Sequence, residues 1–402
     1  MIPDNKKIAK TLSEKPITPE LIFAACEQMA AEFLRGSLTE ELTPLLKDMD
    51  LTTAWSYIGR FETGELRKRL ERELGPLYGE KDVMVCPKGV LLHISAGNMD
   101  ALPAYSVLEG LLTGNINLLK LPSKDHGLSR FLLEKLMEYQ PVLRDYIYIF
   151  DTSSQDLEGM RKLMELANAI VIWGSDEAVS QVRKNAPVNT EIIEWGHKLS
   201  FCYIQELDIP DRQLKALARH ILSTNQLLCN SCQGIFLNTK DGAEVSAFAQ
   251  RFARILAETE EEYPLPDYLQ GKLTLEALTR KLENRDGREE IYQNGRSSVL
   301  CKKDGRLELS GLFGNIWVKP LVQEKIIENL WGNRLHLQTA GIYPFCPELA
   351  HIFARAGLTN ICELSKMSEH AMRKTHDGSY ALARYVRLVE VSGEFAAPQG
   401  DG

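Results

Sequence analysis

From Val83 to Ile204 short apolar runs alternate with amphipathic stretches, and this alternation limits the fold more than any other feature of the chain. VMVCPKGVLLHIS is a run of strand formers with a Pro-Lys-Gly turn inside it. SVLEGLLTG reads as a helix ended by Gly114, NINLLKLPS as a strand, GLSRFLLEKLMEYQPVL as a helix and YIYIF as a strand. QDLEGMRKLMELA, NAIVIWG, SDEAVSQVRKN, TEIIEWG and KLSFCYI continue as helix, strand, helix, strand, strand. Strands joined to helices by short connections form a doubly wound, mostly parallel sheet. Such sheets bind ligands beyond the carboxyl ends of their strands. No GxGxxG occurs, so a dinucleotide would have to be held without that fingerprint.

The first 80 residues read as charged amphipathic helices, as in LTEELTPLLKDM and GELRKRLEREL. After about residue 200 a second α/β segment begins with a helix (QLKALARHILSTN), a loop holding two cysteines, a strand (GIFLN) and a long helix. Residues 264–310 are polar and read as surface helices and loops. The expected division is residues 1–197 as a helical region plus an NAD(P)-binding domain, 198–385 as a cysteine-bearing catalytic domain, and 386–402 as a tail.

A 402-residue chain that is 44% hydrophobic and 25% charged can bury a large core. Its net charge of -8 argues against a nucleic-acid or anionic-membrane binder. The most apolar region is broken by Gly, Pro, Asp100 and Glu109, so no membrane span is expected, and the N-terminus lacks a signal-like apolar core. The expected location is therefore cytoplasmic. Of eight cysteines only Cys229 and Cys232 stand close, and no second CxxC or CxxH completes a zinc site. No metal is expected.

Five stretches carry candidate chemistry, each with a plainer alternative. HISAGNMDALP sets Asn98 in a Gly-rich turn after a strand, as an oxyanion donor or simply a turn residue. LLKLPSK ends a strand with Lys120, followed by Ser123 and Lys124, as a ribose or phosphate holder or as solvated charge. VIWGSDEAV offers Gly174 and Ser175 at a helix start, a place for a pyrophosphate or an ordinary N-cap. IIEWGHKLSF places Glu194 at a strand end, as a general base or a structural acid. In LLCNSCQ, Cys229 is a nucleophile if its surroundings favour the thiolate, or else a buried structural cysteine. A thiol-disulfide pair with Cys232 is a further reading.

Singly these signals are weak, but their order and separation are informative. Asn98 lies 22 residues before Lys120, Gly174 lies 20 before Glu194, and Glu194 lies 35 before Cys229. In the order Asn98, TGNINLLK, WGSDEAV, EWGHK and NQLLC, the sequence resembles the aldehyde dehydrogenase superfamily. QLLCNSCQ, LQTAGIYP and KTHDGSYALARYVRLV are similar to blocks of its LuxC-type acyl-CoA reductase family, and the resemblance spans roughly residues 83–390.

The resemblance implies an aldehyde-dehydrogenase-like α/β fold of two doubly wound domains with the active site between them. It implies reduction of an acyl-CoA or acyl-protein thioester to the aldehyde, with Cys229 as nucleophile. Asn98 and the Cys229 backbone N–H would bind the oxyanion, Glu194 would manage protons, and Gly174 and Ser175 would lie by the pyrophosphate. Lys120 matches the residue that holds the adenosine ribose. NAD-preferring members often carry a Glu three positions on. Ser123 and Lys124 stand here instead and favour NADPH over NADH.

The Glu-x-Phe that grips the nicotinamide ribose in many members is not evident: GLFG has Gly311 and Phe313 at the corresponding positions. His376 in THDG is a candidate for proton transfer or thioester positioning, or else a loop histidine with a structural bond. An acyl-transferring or acyl-protein synthetase partner and a homo-oligomer are implied. The other readings are an aldehyde-oxidising dehydrogenase and a non-catalytic nucleotide-binding scaffold.

Overall fold

The apolar runs that begin at Val83 become strands in a computed structural model of the chain: β1 (Val83–Pro87), β2 (Val90–Ile94), β3 (Ile116–Lys120), β4 (Ile147–Phe150), β5 (Ala169–Trp173) and β6 (Glu191–Trp195). The structure describes residues 2–14, 16–46, 59–80, 82–95, 97, 100–123, 125–284, 290–367 and 375–392. The chain divides into two units, Met1–Gly196 with Lys374–Gly402, and His197–Arg373.

In the first unit β2 to β6 form a parallel sheet in the order β4-β3-β2-β5-β6. All five residues of β3 are buried, as expected of a parallel strand covered on both faces. Helix Leu102–Leu112, which links β2 to β3, is buried along its whole length, and its polar Ser106 and Glu109 are buried with hydrogen-bonding partners. Helices Leu128–Tyr139, Leu157–Leu166 and Asp176–Asn185 make the remaining crossovers. The order turns at β2, since β3 and β4 lie to one side while β5 and β6 lie to the other. This reversal makes the carboxyl ends of β2 and β5 the switch point, where a doubly wound sheet opens its crevice.

In the second unit the strands are β7 (Leu199–Ile204), β8 (Cys232–Leu237), β9 (Glu290–Tyr292), β10 (Ser298–Cys301), β11 (Asn315–Pro320), β12 (Leu337–Tyr343) and β13 (Asn360–Glu363). They form one sheet ordered β13-β12-β7-β8-β11-β10-β9, in which only the β9–β10 pair is antiparallel. Each face carries its own core. Ile235 packs with Ile221 and Phe252 on one side, whereas the next residue, Phe236, packs with Phe201, Trp317 and Phe353 on the other. Gly234 is required where it stands, because a Cβ there would meet the Trp317 ring about 2.0 Å away.

Two sequence expectations change. The polar stretch 264–310 holds helix Asp267–Glu283 but also β9 and β10, whose Ser298 and Val299 are buried. Residues 375–392 pack in the first unit, not in a cysteine domain running to 385 followed by a tail. Their β14 (Val386–Glu390) pairs antiparallel with β1. The Tyr385 carbonyl accepts from Asn115 Nδ2 at 2.9 Å, and the Leu382 N–H donates to Glu73 at 2.8 Å. Arg69 bridges Glu73 and Glu109 at 2.7 and 2.6 Å, and the Tyr385 hydroxyl donates to Glu109 at 3.1 Å. Partners some 270 to 309 residues apart leave no trace in local periodicity.

Candidate active site

Helix Asp211–Thr224 ends in two consecutive left-handed residues, Asn225 (φ 48°) and Gln226 (φ 60°). Asn tolerates that conformation readily; a longer side chain does so only when its surroundings hold it there. Here they do. Gln226 is buried; its Nε2 donates to the Cys232 carbonyl (3.0 Å) and Ser310 Oγ (2.9 Å), and its Oε1 accepts from the Gly314 N–H (2.9 Å). Gln233, also buried, donates to the Gln226 carbonyl (3.0 Å) and accepts from the Ser310 hydroxyl (2.7 Å). The Phe313 N–H donates to the Asn225 carbonyl at 3.1 Å, and Leu312 and Phe313 are themselves left-handed. The two glutamines of QLLCNSCQ thus bind the cysteine loop to the SGLFG loop.

Cys229 is exposed on the turn so held. Its carbonyl accepts from Ser200 Oγ (2.7 Å), which in turn accepts from the Thr339 N–H (3.1 Å), and the Leu228 N–H donates to Ser231 Oγ (3.0 Å). His220 Nε2 donates to the Asn230 carbonyl at 3.2 Å. Cys232 differs in every respect. It opens β8, is fully buried, donates from Sγ to the Gly234 carbonyl (3.2 Å), and burial pushes its thiol from 9.0 up to about 12. A nucleophilic thiolate needs exposure and a thiol that ionises near neutral pH. Cys232 offers neither, and none of the eight cysteines forms a disulfide.

In the first unit five of the sequence candidates gather at the carboxyl edge of the sheet. Lys120 closes β3; its buried amine donates to Ser154 Oγ at 2.9 Å, and burial lowers its pKa. Gly174 follows β5, and Ser175 caps helix Asp176–Asn185 by accepting from the Ala178 N–H at 3.4 Å. Glu194, near the end of β6, is gripped by Arg183, with Nε to Oε1 at 2.5 Å and a second guanidinium nitrogen to Oε2 at 2.8 Å. His376 arrives from residues 375–379 by a backbone bridge with Ser379 (2.8 and 2.9 Å). Its ring stands edge-on to Trp195 (4.5 Å) and Trp173 (5.0 Å), the last residues of β6 and β5. His376 therefore belongs with the first unit, although the sequence division put it with the cysteine. Ser123 lies in the turn after β3, whereas Asn98 and Lys124 fall outside the described residues.

Beneath this edge a buried polar chain holds β2 and β3. Trp173 Nε1 donates to Ser106 Oγ (3.0 Å), the Ser106 hydroxyl meets His93 Nδ1 (2.7 Å), and His93 Nε2 donates to Asn117 Oδ1 (3.0 Å). Burial lowers the His93 pKa from 6.5 to about 4, so the ring is neutral at physiological pH.

Sequence reasoning missed Ser154, Arg183, Ser200 and Ser310. Single serines and a surface arginine have no local signature, although Ser310 adjoins the GLFG that already stood out by lacking its Glu. Among the described residues no group of three or more His, Cys, Asp or Glu could hold a metal, and no helix is long and apolar enough to cross a membrane.

The family model described as acyl-CoA reductase (LuxC) matches residues 45–388. The chain is similar to long-chain acyl-protein thioester reductase 2 of Photobacterium leiognathi, 23% identical over 324 residues that cover 77% of this chain and 66% of that one. The long-chain acyl-protein thioester reductase of Aliivibrio fischeri is 24% identical over 328 residues, covering 77% of this chain and 65% of the relative. The chain thus spans about two thirds of the length of these curated relatives. Among solved structures, aldehyde dehydrogenase 21 of Physcomitrella patens, in complex with succinate, superposes with a TM-score of 0.70 at 13% identity over 95% of this chain and 88% of that one. An NAD-dependent benzaldehyde dehydrogenase of Corynebacterium glutamicum superposes at 0.67 and 15% identity over 96% and 88%. With the two doubly wound sheets, the glutamine-clamped Cys229 loop and a family match over most of its length, the chain belongs to the LuxC acyl-CoA reductase family and has the aldehyde dehydrogenase fold.

Proposed function

We propose that this chain reduces an acyl thioester to the aldehyde through an acyl-Cys229 intermediate, with NADPH preferred over NADH. The observation that carries the reading is the contrast within one loop: Cys229 exposed on a turn fixed by Gln226 and Gln233, Cys232 sealed in the core. The Cys229 thiolate attacks the thioester carbonyl, the carbonyl electrons move to oxygen, and the leaving thiol departs as the acyl-cysteine forms. The Cys229 backbone N–H and the Asn98 amide stabilise the oxyanion. Because the carbonyl of Cys229 is pinned by Ser200, the thiol holds its position as the acyl group is exchanged.

The first unit has the features a dinucleotide needs. Its strand order opens a switch point. An ammonium has three donors, and Lys120 commits one to Ser154, which leaves capacity for ribose hydroxyls. Gly174 lets backbone approach closely, since a Cβ there would already stand 3.1 Å from Ala178. Lys120, Gly174 and Ser175 would hold the cofactor, and Ser123 and Lys124 would accept a 2'-phosphate. When bound, a reduced nicotinamide supplies the hydride that converts the acyl group to the aldehyde. Glu194 and His376 are the candidate proton-handling groups. The acyl donor is a CoA thioester or an acylated protein delivered by an acyl-transferring partner, and the working form is a homo-oligomer.

The test is incubation with an acyl-CoA series, short to long, first without and then with NADPH or NADH. The expected result is an acyl mass adduct on Cys229 without reductant, and aldehyde formation faster with NADPH. An adduct on another residue, or none, would overturn the nucleophile assignment.

A further inference from the structure

We propose that Lys319 is a positioning residue for Cys229, acting through the loop whose Ser310 holds the two glutamines of the cysteine turn. This inference rests on the acyl-Cys229 reading above and adds to it what keeps the clamp on the nucleophile in register. Lys319, its partners and the cysteine loop all lie in the second unit.

β10 and β11 are neighbours and run parallel, so the chain between them must travel back along the sheet before β11 can start. Such returns are usually helices; here the return is an irregular loop, residues 302–314. Irregular backbone does not bond itself into place and has to be held by other groups. Alternate residues of a strand point to one face, and three alternate residues of β11 do the holding. Asn315 Nδ2 donates to the Leu312 carbonyl at 3.0 Å, and Trp317 Nε1 donates to the Glu308 carbonyl at 3.1 Å. Lys319 Nζ donates to the Arg306 carbonyl at 2.8 Å and to Asp304 at 3.1 Å, and it pairs with the Glu308 carboxylate at 2.8 Å.

Lys319 is 1% exposed, and its amine stands 5.1 Å from the centre of the Trp317 ring. A lysine so placed is unfavourable to bury unless its charge is met. An apolar residue would fill the same space, but it would not bind Asp304, Arg306 and Glu308. That grip ends two residues before Ser310, which accepts from Gln226 Nε2 at 2.9 Å and donates to Gln233 Oε1 at 2.7 Å. Gln226 and Gln233 bracket Cys229 in the chain, so the segment that Lys319 fixes is the one that fixes the nucleophile's turn. Without the ammonium, Asp304 and Glu308 would face each other as like charges. Their side chains are 42% and 39% exposed, so both can swing out to water and take the loop with them. Lys302, which pairs with Glu308 at 2.7 Å, would hold that carboxylate alone.

The experiment mixes the full chain with an acyl-CoA and no reductant. The Cys229 adduct is followed by mass spectrometry over a range of acyl-CoA concentrations, alongside thermal melting. Lys319→Met should lower the maximal acylation rate about tenfold, less than the roughly 100-fold that a misplacement of about 1 Å can cost. The half-saturating concentration should change by less than about twofold, since the loss is in orientation and not in binding. Asp304→Asn with Glu308→Gln, which keeps the side-chain shapes and removes their charges, should fall between, and it gives the same comparison where Lys319→Met does not fold. Ser310→Ala should slow acylation by itself. Adding Lys319→Met to it should slow acylation no further while the melting temperature drops again, because both residues reach Cys229 through one contact. A lysine that only stabilised the fold would lower both readouts in the double variant. Adduct formation at the unaltered rate in Lys319→Met, or further slowing in the double variant, overturns the role of Lys319 alone. Absence of any Cys229 adduct in the unaltered chain overturns the acyl-cysteine reading and this inference with it.

Discussion

Around Cys229 most of the polar groups that set the geometry are neutral amides and hydroxyls, the buried His220 ring on the Asn230 carbonyl being the exception. Gln226, Gln233, Ser310 and Ser200 exchange hydrogen bonds with one another and with backbone, and none of them titrates. At the carboxyl edge of the first sheet the corresponding groups are ionisable: Lys120, Glu194 with Arg183, His376, and His93 in the layer beneath. On the reading proposed for Cys229, its loop must keep one shape as acyl groups come and go, which saturated neutral contacts provide. On the same reading the edge of the first sheet receives a charged cofactor, which charged side chains can meet. The two regions therefore differ in how they should fail.

The largest expected effect lies within the rigid loop. Cys229→Ala should lower thioester-dependent NADPH oxidation by about 10⁴-fold, as loss of a nucleophile does, whereas Cys232→Ala should stay within about threefold, since its thiol only fills core. Equal losses in initial-rate assays would erase the distinction between the two cysteines.

The next effect separates the two regions by pH. The folded-state pKa of His93 is lowered by burial from 6.5 to about 4, so its contribution is present above pH 6.5 and is lost as pH falls through 4. That shift corresponds to roughly 3 kcal/mol. Hydrogen exchange between pH 7 and 4.5 should show β2 and β3 losing protection ahead of β8, and His93→Gln should flatten the difference. Parallel loss in both sheets would mean that the buried imidazole does not govern the acid response.

A smaller effect follows from the clamp itself. Gln226→Ala leaves the buried Gly314 N–H without its acceptor and should cost about 2 kcal/mol. Thermal melting should show it, together with slower acyl-adduct formation on Cys229. A lower melting point with an unchanged acylation rate would make the glutamine a stabiliser of the fold and nothing more.

Much of this was legible beforehand, for a physical reason. Parallel strands covered on both faces must be continuous apolar runs, so INLLK and AIVIW announce themselves. That Lys120, Gly174 and Glu194 stand at the carboxyl edge of the sheet could be read because strand ends are visible in sequence. What stayed hidden is non-local. Arg183 reads as one cation in an amphipathic helix, and only the fold turns it onto Glu194. His376 sits in a segment whose sequence neighbours belong to the other unit, so its tryptophans could not be guessed. β9 and β10 escaped because short strands in a polar stretch have too few residues to show a period of two.

The pairing of β14 with β1 has a bearing on how the protein is made. As the chain leaves the ribosome, Met1–Gly196 emerges first, then all of His197–Arg373, and only afterwards the residues that complete the first unit. Until that moment β1 has an open edge, the Glu73 carboxylate lacks the Leu382 N–H, and Asn115 lacks the Tyr385 carbonyl. An unpaired strand edge beside buried charge is an invitation to aggregate. Synthesis therefore imposes a waiting period on the earlier-made unit that the later-made one is spared.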